Sequence, residues 1–258
     1  MTIDQKALAE LRQLFADRVT VDPLERRIYS HDVGTMPKLI RPLIGRALAD
    51  AVVQPRREEE LIALVRWAHK YRVPLTPRAK ATSGYGGVVP VKGGVSVDMS
   101  RYGGVVSVDA EALTVTVRAG TVWQALEREL AKEGLALCLY PSSAPSSTVG
   151  GWLAQGGVGY GSHEYGPFRA NVVAARVLLP GGEVRTFQGA ALDTIGDAEG
   201  TTGIILEVTL RVRRATPERV WAVAFASAAD LAGALRALAE AQAPLWSVSF
   251  INPRMAEL

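Results

Sequence analysis

The chain holds a single cysteine, Cys138, among 258 residues. That excludes an internal disulfide and any cysteine-held iron–sulfur cluster. Cys138 lies in the apolar run LALCLY, where a buried structural thiol and a reducing, cytoplasmic setting are expected. The three histidines, His31, His69 and His163, are dispersed, with no H-E-x-x-H and no companion cysteines, so no metal site is expected. G-x-G-x-x-G and G-x-x-x-x-G-K-[ST] are both missing, which removes the Rossmann and P-loop readings, and there is no G-x-S-x-G nucleophile elbow. No run reaches the length of a membrane span. The opening MTIDQKALAELRQLF is amphipathic and lacks the apolar centre of a signal peptide. The net charge is only +3, and the basic residues fall in scattered pairs rather than a stripe, so nucleic acid is not an expected partner. A hydrophobic share of 48% against 21% charged leaves ample material for a core.

The hydrophobic pattern predicts an α+β protein. Leu8, Leu11, Leu14 and Phe15 have helical spacing over residues 4–15. AVVQP (51–55) reads as a strand, residues 58–71 as a helix carrying Leu61, Ile62, Leu64, Val65 and Ala68 on one face, and VPLTP as the next strand. That order predicts a small parallel βαβ lobe. From residue 105 the signals become mainly antiparallel: two alternating strands in VVSVDAEALTVTVRAG, a helix over 121–132, a hairpin turning at Pro180-Gly181-Gly182, and the strand GIILEVTLRVRR. After Pro217 a strand (VWAVAF), a helix (228–242) and a strand (LWSVSFI) form one unit with little sheet to cover.

Two glycine-rich stretches interrupt this pattern. PRAKATSGYGG (77–87) leaves the carboxyl end of a predicted strand, where small residues let backbone N–H groups approach an anion closely. By itself it reads equally as a phosphate cradle or a mobile loop. The second stretch, YPSSAPSSTVGGWLAQGGVGYGSHEYGPF (140–168), adds hydroxyls and paired glycines. Two such segments bracketed by regular elements favour a binding site over independent structural turns.

These stretches, with RVLLPGGEVRTF and DAEGTTGIILEVTL, resemble the FAD-binding PCMH-type domain of the vanillyl-alcohol oxidase/p-cresol methylhydroxylase superfamily. The nearest branch is that of FAD-linked oxidases such as the glycolate oxidase and D-lactate dehydrogenase flavoprotein subunits, and the likeness runs from about Asp22 to Arg214. It implies a two-subdomain FAD-binding domain over residues 1–217 (subdomains about 20–104 and 105–217), followed over 218–258 by the start of a truncated α/β substrate or cap domain. By position, Arg78, Ala79, Lys80, Ala81, Thr82, Ser83 and Gly84 would hold the pyrophosphate. Ser142, Ser146, Thr148, Gly150, Gly151, Gly156 and Gly157 would line the ribityl chain and flavin. Glu199, Gly200, Gly203 and Ile205 would sit beside the cofactor, and Tyr165 would pack near the ring.

The match has departures. Ala79 and Ala81 stand where relatives often carry glycine, at a cost of about 1 kcal/mol if either takes a positive φ. Lys80 is unusually large there; it either adds a charge-assisted phosphate contact or stays solvated. Thr82 replaces the histidine through which some members attach FAD, so FAD should be non-covalent. His163 is a weak candidate base, with a hydrogen-bonded loop residue as the favoured alternative.

The resemblance implies an FAD-dependent oxidoreductase, a flavoprotein module or subunit that oxidises a 2-hydroxy acid or similar alcohol by hydride transfer to flavin N5. It also implies a small organic acid or alcohol as substrate, and a protein partner or self-association through residues 218–258. Membrane proximity would come only through that partner. An FAD-binding electron-transfer subunit with an iron–sulfur or catalytic partner is the alternative. A reductase resembling UDP-N-acetylenolpyruvoylglucosamine reductase and a non-redox scaffold stand behind it.

Overall fold

The structure, a computed structural model, describes residues 3–34, 39 and 47–252. Helix α1 (Gln5–Phe15) starts where the Asp4 carboxylate accepts the Ala7 N–H at 2.7 Å, and it buries Ala7, Leu11 and Phe15. Strand β1 (Val19–Thr20) and helix α2 (Pro23–Ile28) follow. Strand β2 (Ala51–Val53), helix α3 (Glu58–Tyr71), strand β3 (Leu75–Arg78) and strand β4 (Val95–Asp98) complete the first layer. The predicted strand–helix–strand unit is present, but its two strands are not neighbours. The sheet order is β1-β2-β4-β3, with β4 parallel to both β2 and β3 and inserted between them. Every residue of β4 is buried, as a central parallel strand requires.

The second sheet is antiparallel. It contains β5 (Val105–Asp109), β6 (Thr114–Arg118), β8 (Val172–Leu178), β9 (Val184–Gln188) and the eleven-residue β10 (Ile204–Arg214) in the order β5-β6-β10-β8-β9. Strand β7 (Leu135–Leu137) also pairs with β10. Helix α4 (Trp123–Lys132) buries Leu126 and Leu130 as its spacing predicts, while the short helices α5 (Val149–Gln155) and α6 (Ser162–Tyr165) carry the second glycine-rich stretch.

Two hydrophobic cores result. One gathers α1, α3 and the parallel strands together with Leu178, Ile204 and Leu206 from the second sheet; the other fills the space around α4, α5 and β10. At their junction Arg176 on β8 bridges Glu58 of α3 and Glu207 of β10, each at 2.8 Å. A second anchor is Glu60, buried on α3. Its carboxylate accepts two bonds from Arg18 at 2.8 Å, the Arg56 N–H at 2.8 Å and the Arg57 guanidinium at 3.1 Å.

The carboxyl-terminal part departs from expectation. Helix α7 (Ala228–Glu240) is present, but neither 220–225 nor 245–251 forms a strand. Both are β-rich in composition, yet a strand needs a ladder partner, and the described residues supply none. The segment is tied back by Trp246, whose indole N–H donates to the Cys138 carbonyl at 2.7 Å and whose ring packs on Tyr140. Residues 253–258 of that predicted unit lie outside the described residues. No described helix is long and apolar enough to cross a membrane.

Candidate functional site

The two sheets leave a cleft between them, at the carboxyl end of β3. Its void, counted with the solvent space at its mouth, is about 910 Å³. A second, more open cleft of about 1360 Å³ adjoins it and shares Pro77, Gly200, Gly203 and Ile204, so the combined groove suits an elongated ligand.

Three segments far apart in sequence build the walls. The first is the loop leaving β3, which contributes Arg78, Ala79, Lys80, Ala81, Thr82 and Ser83. No backbone N–H from Lys80 to Gly84 donates to a protein acceptor among the described residues. Ala81 has a φ of 51°, the left-handed conformation that alanine adopts at a cost, whereas Ala79 does not. Ala81→Gly should therefore raise stability by about 0.5–1 kcal/mol, the relieved strain exceeding the added chain entropy. Ala79→Gly should lower it by a similar amount, and denaturant midpoints of the two variants check the contrast.

The second segment runs from residue 143 through α5. Thr148 caps α5, its hydroxyl accepting the Gly151 N–H at 3.2 Å, and Thr148, Gly150 and Gly151 all line the cleft. Ser142 and Ser146 do not; they are exposed on the turn, and Ser143 and Ser147 face the cleft instead. The turn is wound by Ser146 and Ser147 N–H groups donating to the Ser143 carbonyl, and that winding sets which serines point inward. Gly156 and Gly157 also lie outside the cleft wall. Gly156 ends α5 with a φ of 77°, packed so closely on the Asp197 carboxylate that no side chain would fit. Gly84 is likewise outside, with its carbonyl pressed on Gly34.

The third segment is the turn entering β10, where Glu199, Gly200, Gly203 and Ile205 line the cleft. Glu199 has a φ of 50°, and its N–H closes the end of α5 by donating to the Ala154 carbonyl at 2.7 Å. His163 is exposed on α6 and Tyr165 half-buried; neither reaches the cleft.

Sequence reasoning missed several lining residues, among them Asp32, Met99, Ala119 and Trp152. Asp32 accepts the Gly34 N–H at 2.9 Å and the Gly86 N–H at 2.7 Å, folding the glycine loop from a distance of 54 residues. Its signal was the motif YSHD, whose aspartate is buried. Trp152 stacks on Phe168 with ring centroids 4.4 Å apart, which stiffens the cleft floor.

Among the described residues four buried side-chain polar atoms form no hydrogen bond; Trp123 Nε1 and Arg169 Nε lie elsewhere, while Arg78 Nε and Ser147 Oγ lie in this wall. Buried polar groups in proteins are almost always satisfied, so these two point to a polar ligand. Burial also lowers the pKa of the Arg78 guanidinium, which lies 4.7 Å over the Tyr29 ring and is partly compensated by Asp98. Burial, then the carboxylates of Asp32 and Asp197, push the Glu199 carboxyl upward. The cleft thus offers free amides and cations at the β3 loop, hydroxyls at the α5 cap, and an apolar floor. That donor set fits a flavin dinucleotide: anionic in the middle, with flat rings at both ends.

Comparison with known proteins gives the same reading. The FAD binding domain family matches residues 49–188. The chain is 31% identical over 230 residues to the mitochondrial D-lactate dehydrogenase [cytochrome] of Arabidopsis thaliana, covering 86% of this chain and 39% of that protein. It is 34% identical over 225 residues to the alkyldihydroxyacetonephosphate synthase of Dictyostelium discoideum (82% and 36%), and 30% identical over 196 residues to the glycolate oxidase subunit GlcD of Bacillus subtilis strain 168 (72% and 40%). A solved alkyldihydroxyacetonephosphate synthase superposes with a TM-score of 0.78 at 29% identity, covering 93% of this chain and 44% of that one. The chain spans less than half the length of these relatives. With the family match extending over more than half of its residues, the chain belongs to the FAD binding domain family of FAD-linked oxidases, and its cofactor is FAD.

Proposed function

We propose that the protein is the FAD-binding part of an oxidoreductase that oxidises a 2-hydroxy acid or a similar small alcohol. The observation that carries this reading is the pair of orphaned buried atoms, Arg78 Nε and Ser147 Oγ, in a cleft built from the matched segments. The similarity to a D-lactate dehydrogenase and a glycolate oxidase subunit supports the substrate class. FAD, when bound, supplies the two-electron acceptor. The chain's own residues bind and orient it. The free amides of 80–83 and the neighbouring cations hold the diphosphate, the Thr148 and Ser147 hydroxyls meet polar groups, and Trp152 closes the floor against water. In this reading residues 1–217 are the FAD-binding domain, with subdomains near 20–104 and 105–217. Residues 218–258 begin a substrate or cap domain that is completed by more chain or by a partner.

A second reading is favoured by the 34% identity to an alkyldihydroxyacetonephosphate synthase and by the superposition on a solved one. Here FAD would serve a synthase reaction.

The test starts with the visible spectrum of the purified chain, which should show bound flavin. Acid precipitation should release the yellow cofactor into the supernatant, since Thr82 stands at the attachment position; colour retained by the polypeptide would contradict non-covalent binding. Anaerobic mixing with D- and L-2-hydroxy acids, in the presence of whatever completes the substrate domain, should bleach the flavin. Bleaching by none of them, with formation of an alkyldihydroxyacetonephosphate instead, would establish the second reading.

A further inference from the structure

One exposed cation in the cleft wall has no partner among the described residues. Asp32 is engaged by two amides, at 2.9 and 2.7 Å. Arg78 is covered by the Tyr29 ring and sits near Asp98. Glu199 packs its carboxylate against Gly87, close enough that a side chain there would collide with it. Lys80 is the exposed cation of this wall, as Glu199 is its exposed carboxylate. Lys80 forms neither an ion pair nor a hydrogen bond among the described residues. It also begins the run of amides, Lys80 to Gly84, that have no protein acceptor.

The cleft is therefore electrically lopsided. The start of the loop carries an ammonium, a guanidinium and free N–H groups, while Asp32 and Glu199 lie against its far end at Gly86 and Gly87. We infer that Lys80 is an electrostatic clamp on the diphosphate of FAD and makes cofactor retention by this chain sensitive to salt. The inference rests on the reading that this loop faces the diphosphate. A lysine ammonium acts as a point charge on a flexible stem, so its contribution reaches both phosphates without demanding one geometry. Because Lys80 is exposed, the attraction is moderate and is screened as ionic strength rises.

The experiment titrates FAD into the deflavinated chain, following quenching of flavin fluorescence, for wild type, Lys80→Ala, Lys80→Arg and Lys80→Glu. At about 20 mM salt, where screening is weak, Lys80→Ala should bind FAD about fivefold to tenfold more weakly. Lys80→Glu should be weaker still, and Lys80→Arg close to wild type. At about 500 mM salt the four should converge, and the wild-type affinity should show the steepest salt dependence. The melting temperature of the four deflavinated chains should be the same, since Lys80 makes no internal contact. Equal FAD affinity of wild type and Lys80→Ala at low salt overturns the inference, as does a loss that persists unchanged at high salt. Failure of the wild-type chain to bind FAD at all would overturn the cofactor site itself, a separate outcome.

Discussion

Gly151→Leu should leave the protein folded and strip it of FAD, whereas Gly150→Leu, one residue earlier, should prevent folding. From sequence the two glycines are equivalent, both expected to lie against the cofactor. The structure separates them. A Cβ on Gly150 would collide with the Ala119 Cβ and lie 2.9 Å from its Cα and 3.0 Å from its carbonyl oxygen, contacts that rigid backbone cannot relax. The Gly150 N–H also donates to the Ala119 carbonyl at 2.9 Å, so α5 is locked to the end of β6 at that point. A leucine there should cost more than about 4 kcal/mol, beyond ordinary overpacking and a large fraction of a domain's stability.

Gly151 is exposed, and a Cβ added there would lie 3.0 Å from the Thr148 hydroxyl, which can rotate, and 3.6 Å from the Ala79 Cβ across the cleft. Leucine at this position improves helix propensity and projects into the space the cofactor needs. FAD affinity should fall on the order of a hundredfold or more, about 2.7 kcal/mol. Circular dichroism and thermal melting report the fold, and the flavin-to-protein absorbance ratio reports the cofactor. A fully flavinated Gly151→Leu protein would remove α5 from the cofactor site.

Acid should destabilise the protein through Glu60. Burial by itself would raise the pKa of this carboxyl, but the Arg18 guanidinium, the Arg56 N–H and the Arg57 guanidinium override it and bring the value from 4.5 down to about 2. A depressed carboxylate pKa contributes stability that is present above the unfolded value and lost as pH falls through the folded one. The window is therefore about pH 4.5 to 2, and the contribution at neutral pH is roughly 3 kcal/mol at 1.36 kcal/mol per unit. Glu60→Gln should lose most of this at pH 7, and it leaves Arg18, itself largely buried, without its partner. Urea denaturation at neutral pH and near pH 3 checks both halves. The wild type should weaken on acidification, and the variant should change much less over the same interval. Parallel loss in the two proteins would assign the acid sensitivity to other carboxylates.

Much of the architecture was legible from local signals. Helix α3 was predicted over 58–71 and occupies Glu58–Tyr71, because its apolar spacing, three leading glutamates and closing lysine all agree. The β5–β6 and β8–β9 hairpins were legible because alternation and turn residues are nearest-neighbour properties. The glycine loop after β3 announced a backbone free to meet a ligand, and the resemblance marked Ala79 and Ala81 as places where a positive φ would cost, of which only Ala81 takes one.

What sequence could not settle is mostly non-local. Insertion of β4 between β2 and β3 depends on which strand edges meet, and no residue in either strand encodes its neighbour's identity. Asp32 folds the loop at Gly86 across 54 residues, an encounter visible only once α2 and β3 are packed. The inward-facing serines are Ser143 and Ser147 rather than Ser142 and Ser146 because the winding of one turn rotates the register by a residue. Segments 220–225 and 245–251 have the composition of strands and stay unpaired, since a ladder takes two edges and its free energy belongs to neither alone. Sequence by itself thus determined most of the elements, because propensity, periodicity and glycine freedom are local, while the cofactor class came from the resemblance of four motifs taken together. Which residues share one wall of the cleft was decided by tertiary packing, which alone brings chain segments tens of residues apart within reach of one ligand.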